Sequence, residues 1–275
     1  MALPPLDYTA PLARPSGGGL YAAATLIDRP DPSRLSGGVA IWPTNCDPAF
    51  GAWPADPCAD TAGLTKSGDR SAPTDPFEPV VVWGYDECDP TETDDAVIER
   101  AEHNLVLGEQ ITVEAALAAR LLADTAPTAV HDVVAAVSAL EAALTRRALT
   151  GVIHASPEVA AYAAHFGLIV RSGSALRTPL GHTWSFGGGY AEADGVESTT
   201  LFATGTVTVW RDAPSSRTTL DARHNRRAAV AERTIVAGYE CAVGAVNVGG
   251  AEPGPLGTYP SPETFPGATT FPEGA

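Results

Sequence analysis

Cysteine, histidine, clustered glycine and clustered arginine are the residues here with chemistry to offer. Structural zinc favours thiolate pairs two to four residues apart. Cys46 and Cys58 have eleven residues between them, Cys88 and Cys241 lie further on, and none of the six histidines falls between Cys46 and Cys88. Two readings remain: small buried side chains, or a Cys46–Cys58 disulfide tying down a proline-rich loop. His154 ends an apolar strand beside Ser156, which suggests a base and a nucleophile, but Ser156 precedes Pro157 and reads better as a helix cap. No Gly-x-Ser-x-Gly elbow and no His-Glu-x-x-His occurs. Gly187-Gly188-Gly189 lacks the Lys-Ser/Thr of a phosphate loop and reads as a plain loop. The paired acids Asp94 and Asp95 open a helix, where they complement its dipole. No catalytic, cofactor-binding or metal-ligating constellation is read.

The arginines are the remaining group. Arg217, Arg223, Arg226, Arg227 and Arg233 crowd into seventeen residues, with Glu232 among them. Three readings stay open: a solvated, ion-paired strand edge, an intersubunit salt-bridge surface suited to the guanidinium fork, or a contact with a polyanion. The whole chain of 275 residues is acidic, with 33 Asp and Glu against 17 Lys and Arg and a net charge of −16. Broad electrostatic binding of nucleic acid is therefore excluded, because the chain would repel phosphate. No apolar run reaches the roughly 20 residues of a membrane span. Residues 1–20 show no basic start followed by an apolar run, so synthesis and use in the cytoplasm are expected.

The elements that must position these residues follow from punctuation and periodicity. Residues 1–92 carry 14 of the 24 prolines, so this third cannot be mainly helical. It reads as arms and loops with short strands near 38–42 and 79–84, held by Trp42, Trp53 and Trp83. Thr93-Asp94-Asp95 starts a helix whose apolar face is Val97, Ala101 and Leu105. Gly108 is expected to interrupt it, with Thr112 capping a second helix and a third running from about Thr128 to Leu144. Residues 151–155 form an apolar strand, and Ser156-Pro157-Glu158 opens a helix that stops at Gly167. One strand is expected over 201–211 and one or two over 226–248.

The order of these elements resembles the tailed-bacteriophage major capsid protein family, which has the Hong Kong 97-type fold. The residues that carry the resemblance are the helix ending at Leu144 followed by Gly151-Val152-Ile153-His154-Ala155-Ser156-Pro157. They continue with the turn Leu176-Arg177-Thr178-Pro179-Leu180-Gly181-His182-Thr183-Trp184, then Asn225, Glu232-Arg233 and the closing Gly244-Ala245-Val246-Asn247-Val248. The family's usual Arg-Pro before the closing strand is absent.

The resemblance implies an α+β fold with an N-terminal arm (1–37) and an extended loop region (38–92). A helical region with spine (93–149), a mixed α/β region of A and P type (150–248) and a Pro/Gly-rich C-terminal tail (249–275) follow. The implied function is structural: self-assembly through pentamers and hexamers into an icosahedral shell around phage DNA, in the virion, with assembly in the host cytoplasm. Implied partners are the chain itself, a portal, scaffolding or decoration proteins, and DNA without sequence-specific contact; no membrane and no cofactor is implied. Some shells of this type are stapled by Lys–Asn isopeptide bonds. Lys66, the single lysine, with Asn225 or Asn247 and Glu232 as base, is the candidate set. The competing readings are another virion component, an encapsulin-like compartment, or a soluble enzyme.

Overall fold

The computed structural model describes residues 10–29 and 35–249. The first nine residues of the expected arm and all but Gly249 of the expected tail lie outside the described residues.

The elements run in chain order as follows. Helix α1 (Leu20–Ala23) leads into strand β1 (Thr25–Arg29), and after a long connection come β2 (Val80–Cys88) and α2 (Asp94–Asp124). Next are β3 (Pro127–Val130), α3 (Val133–Arg146), β4 (Val152–Ala155), α4 (Pro157–His165), β5 (Val170–Ser172), β6 (Ala175–Arg177) and β7 (Thr183–Phe186). The chain closes with β8 (Thr200–Thr204), β9 (Val207–Asp212), β10 (Ser215–Asp221), β11 (Arg226–Tyr239) and β12 (Ala242–Val248).

Two sheets organise the described residues. A five-stranded sheet has the order β1-β9-β11-β10, with β2 also paired to β11. A seven-stranded sheet has the order β3-β12-β8-β4-β7-β6-β5. Helix α2 packs on the first sheet, and its Val97, Ala101, Leu105, Val113, Leu117 and Leu121 join Val82, Ala229, Ala231 and Ile235 in one core. Helices α3 and α4 pack on the second, where Val137, Leu140 and Leu144 meet Ile153, Trp184, Leu201 and Ala203.

Helix α2 starts as its sequence dictates, with the Thr93 hydroxyl accepting the Ala96 N–H. It does not break at Gly108, contrary to the sequence expectation: one helix of 31 residues runs through. An internal glycine costs about 1 kcal/mol, which is small beside the burial of a continuous apolar face on both sides of it. Thr112 caps nothing; its hydroxyl donates back to the Gly108 carbonyl at 3.1 Å, inside the helix.

The third helix also begins later than expected. Asp132, not Thr128, is the cap and accepts the Ala135 N–H at 2.7 Å. Residues Pro127–Val130 are instead drawn into a parallel strand along the open edge of β12. Helix α4 starts on Ser156 and Pro157, and Gly167 leaves it with a φ of 67°. The strand expected over 201–211 is two strands, β8 and β9, one in each sheet. Gly205 and Thr206 carry the chain between the sheets, and at the same place Glu240 and Cys241 carry it back from β11 to β12. The two crossings are bonded to each other, Gly205 N–H to the Cys241 carbonyl at 2.9 Å and Glu240 N–H to the Thr206 carbonyl at 3.1 Å.

Candidate assembly surface

The arginine cluster lies on the β10–β11 hairpin, whose Asn225 takes a φ of 52° at the turn. Within one subunit most of the cluster is already paired. Arg217 meets Glu232 on the neighbouring strand, Arg226 meets Glu87 at 3.4 Å, and Arg227 meets Asp94 at 2.5 Å. Arg227 and Arg233 share the face of β11 that packs on α2, where Arg233 meets Glu109. Arg223, at the exposed tip, makes no ion pair with a described residue.

Glu109 is a hub that the sequence signals only indirectly. It falls in the i, i+4 series Val97, Ala101, Leu105, Val113, Leu117, Leu121 that builds the buried face of α2. A carboxylate there must be matched, and it takes Arg233, Arg211 at 3.5 Å and the Tyr21 hydroxyl at 2.5 Å. Burial and the adjacent Glu109 charge push the Tyr21 phenol up. Glu114, one turn on, is fully buried and accepts the Leu20 N–H at 2.8 Å and the Gly189 N–H at 3.0 Å. Burial raises its carboxyl, and the two backbone donors oppose that rise. These contacts, with β1 lying parallel to β9 and Asp28 against Arg211 at 2.8 Å, bind residues 20–29 to α2 and the first sheet.

A third anchor holds the long connection between β1 and β2. Val39 bridges Phe77, and the Thr74 N–H bonds the Ile41 carbonyl, so the loop closes on itself at its base. The Glu240 carboxylate accepts the Asn45 N–H at 2.8 Å and the Asn45 amide at 2.7 Å, and also takes the Thr44 N–H. Burial alone would raise this carboxyl, but the Asn45 and Thr44 donors outweigh it and hold it below the usual carboxylate range. Beside it Cys46 forms a disulfide with Cys241, not with Cys58, which is exposed and free. Of the two sequence readings, neither small buried side chains nor a Cys46–Cys58 bond describes Cys46; its partner lies 195 residues away and is brought in by the sheet crossing. Trp42 stands exposed by 64% in this base, and beyond it the loop carries Phe50 and Leu64 at 76% and 49% exposure. Strand β2 adds Val81, Trp83 and Tyr85, exposed on the face away from α2.

The cross-link candidates are not brought together within one subunit. Lys66 sits over the Trp53 ring at 4.6 Å on the loop. Asn247 lies in β12, its amide donating to Glu197 and its carbonyl accepting from Thr199. Glu232 is occupied by Arg217. Only Asn225, at the hairpin tip, has a side-chain amide with no hydrogen bond to a described residue.

No family model matches the sequence, and no curated protein is similar to it in sequence. Solved structures are similar to it in fold. A chain of Mycobacterium phage Adephagia matches with a TM-score of 0.52 at 12% identity, over 90% of this chain and 96% of that one. A chain of Mycobacterium phage Cain matches at 0.52 and 11%, over 88% and 94%. The capsid structure of cyanophage P-SCSP1u matches at 0.50 and 11%, over 92% and 93%. This chain has the Hong Kong 97-type capsid fold.

Within the capsid fold, the one pair with the look of nucleophile and base is occupied by packing. Ser156 caps α4. His154 is fully buried between the Tyr190 hydroxyl at 2.8 Å and the Thr204 hydroxyl at 2.9 Å, and burial pushes its imidazole down to about 3, so it stays neutral. Among the described residues no group of three or more His, Cys, Asp or Glu is placed to hold a metal ion, and no helix is long and apolar enough to cross a membrane.

Proposed function

We propose that this chain is the major capsid protein of a tailed phage, assembling through pentamers and hexamers into an icosahedral shell around DNA. The observation that carries the reading is a capsid fold whose loop exposes Phe50 and Leu64, with Trp42 exposed at its base, and whose base is fixed by Glu240 and the Cys46–Cys241 bond. Several large apolar side chains exposed along one loop suit a surface that another chain covers. In a closed shell each such contact can be modest, because closure and multivalency multiply it. The hairpin with Arg223 at its tip supplies a polar counterpart, and its other arginines serve the subunit's own packing.

The shell belongs to the virion and forms in the host cytoplasm. Its partners are further copies of the chain, a portal, and scaffolding or decoration proteins. The net charge of −16 suits a container whose DNA is neutralised by small cations rather than by the wall. A covalent staple, if the shell carries one, joins Lys66 of one subunit to Asn225 of another. The neutral amine attacks the side-chain carbonyl carbon, a C–N bond forms and ammonia leaves. Assembled particles on a denaturing gel test it: a ladder supports the staple, and clean monomer removes it.

Electron microscopy of the purified chain tests the function. Closed particles or isolated five- and sixfold rings support the shell. Rings of one other symmetry would assign the chain to a connector or tail component instead.

A further inference from the structure

Gly249 lines an apolar groove of about 470 Å³ together with Val133, Val159, Tyr162, Phe166 and Val248. Tyr162 and Phe166 are one helical turn apart at the end of α4 and are exposed by 65% and 50%. Two neighbouring aromatic rings at the mouth of an apolar groove are a surface awaiting an occupant.

The sequence beyond Gly249 is patterned to match. Over its 26 residues it carries Tyr259-Pro260, Phe265-Pro266 and Phe271-Pro272, an aromatic–proline pair repeated every six residues. Proline fixes its own φ and biases the residue before it towards extended backbone. A polyproline II helix has three residues per turn, so side chains six apart share one side. Proline-rich segments of that form are taken up by grooves lined with aromatic rings. We propose that the groove formed by α4, β12 and the start of α3 is the docking site for residues 250–275 of this chain, with one aromatic–proline pair at a time seated against Tyr162 and Phe166.

The tail is the favoured occupant because it begins at the groove. The Gly249 N–H bonds the Val130 carbonyl at 2.9 Å, and a φ of 106° lets the chain turn there. Tyr259 is the tenth residue after Gly249, a reach of about 31 Å at roughly 3.1 Å per residue. That is enough to fold back across α4 or to reach the same groove on an adjoining copy. Charge does not drive the contact, since the tail carries Glu252, Glu263 and Glu273 with no Lys or Arg, and the groove wall carries Asp132 and Glu158. Apolar docking of this kind persists at high salt. The inference is independent of the shell reading and holds for a free subunit as well as an assembled one.

Site-specific photo-cross-linking of the full chain tests it. With Phe265→p-benzoylphenylalanine, irradiation and tryptic digestion, the expected product joins the tail to the peptide 148–171, which contains both groove aromatics. The product is expected at low and high salt and is lost in the Tyr162→Ser/Phe166→Ser variant, two exposed positions. Cross-links directed to other peptides, or a product indifferent to that variant, overturn the proposal. Hydrogen exchange gives a second reading without altering the groove. Exchange across 157–166 is expected to quicken in Tyr259→Ser/Phe265→Ser/Phe271→Ser, and unchanged exchange overturns the proposal.

Discussion

The Asn45 side-chain amide donates a 2.7 Å hydrogen bond to the Glu240 carboxylate across 195 residues of sequence. The next residue on each side, Cys46 and Cys241, forms the disulfide. Both contacts sit where the chain passes twice between the two sheets, by Gly205-Thr206 and by Glu240-Cys241. The base of a long, aromatic-bearing loop is thus joined to the seam of the fold. The loop's root is fixed there, and its outer part carries Phe50 and Leu64 in solvent.

Opening the disulfide should release that root. A cross-link spanning 195 residues restricts the unfolded chain strongly, and its loss typically costs about 2–5 kcal/mol. Cys46→Ala, or a reductant with the native chain, should lower the melting temperature and speed proteolysis within 47–73. Cys58→Ala should do neither, because Cys58 is exposed and unpaired. Equal effects from the two substitutions would contradict the pairing.

Acid should loosen the same anchor. The Glu240 carboxyl is held below its ordinary range by the Asn45 and Thr44 donors. A depressed carboxyl contributes stability that is present above the ordinary Glu range and is lost as pH falls through the lower folded value. Protection of the Thr44 and Asn45 amides, with exchange referred to the intrinsic rate at each pH, should therefore fall on acidification below the ordinary Glu range. In Glu240→Gln that pH dependence should vanish; its survival would assign the effect elsewhere.

Removing the Glu109 carboxylate should be costly. Glu109→Ala leaves Arg211 and Arg233, both mostly buried, without their shared partner. Breaking a buried pair from one side costs about 3–5 kcal/mol. Arg226→Ala breaks only the exposed contact with Glu87 and should change stability little. Urea unfolding of the two variants should rank them in that order.

Two glycines should respond in opposite directions. A Cβ on Gly84 would run into the Ala101 carbonyl and the Leu105 N–H, backbone groups of α2 that cannot swing away. Gly84→Ala should destabilise by about 1–3 kcal/mol, as overpacking does. A Cβ on Gly108 meets nothing within 4 Å, so Gly108→Ala should stabilise α2 by about 0.5–1 kcal/mol.

Local signals explain what the sequence revealed. The Thr93 and Ser156 caps, Pro157 at the first helical position and Gly167 past the last turn all act within a few residues, and α2 and α4 begin and end accordingly. Signals that needed distant partners were missed. Gly108 reads as a break until the first sheet is laid along both halves of α2. Pro127–Val130 reads as helix until β12 offers an edge. The run 201–211 reads as one strand because alternation does not show which sheet it serves. Cys46 gave no hint of Cys241, since nothing in the spacing encodes the crossing that joins them. Of the arginine cluster the sequence showed the density, but not that Arg233 faces α2 while Arg223 stands alone at the tip.

Self-assembly is the central claim, and negative-stain electron microscopy of the purified full chain, with light scattering on the same sample, tests it most directly. The capsid reading predicts closed particles, or isolated pentamers and hexamers, from this chain alone or from the cell extract. A monomer or small dimer under every condition, with Trp42, Phe50 and Trp83 left in solvent, would contradict it.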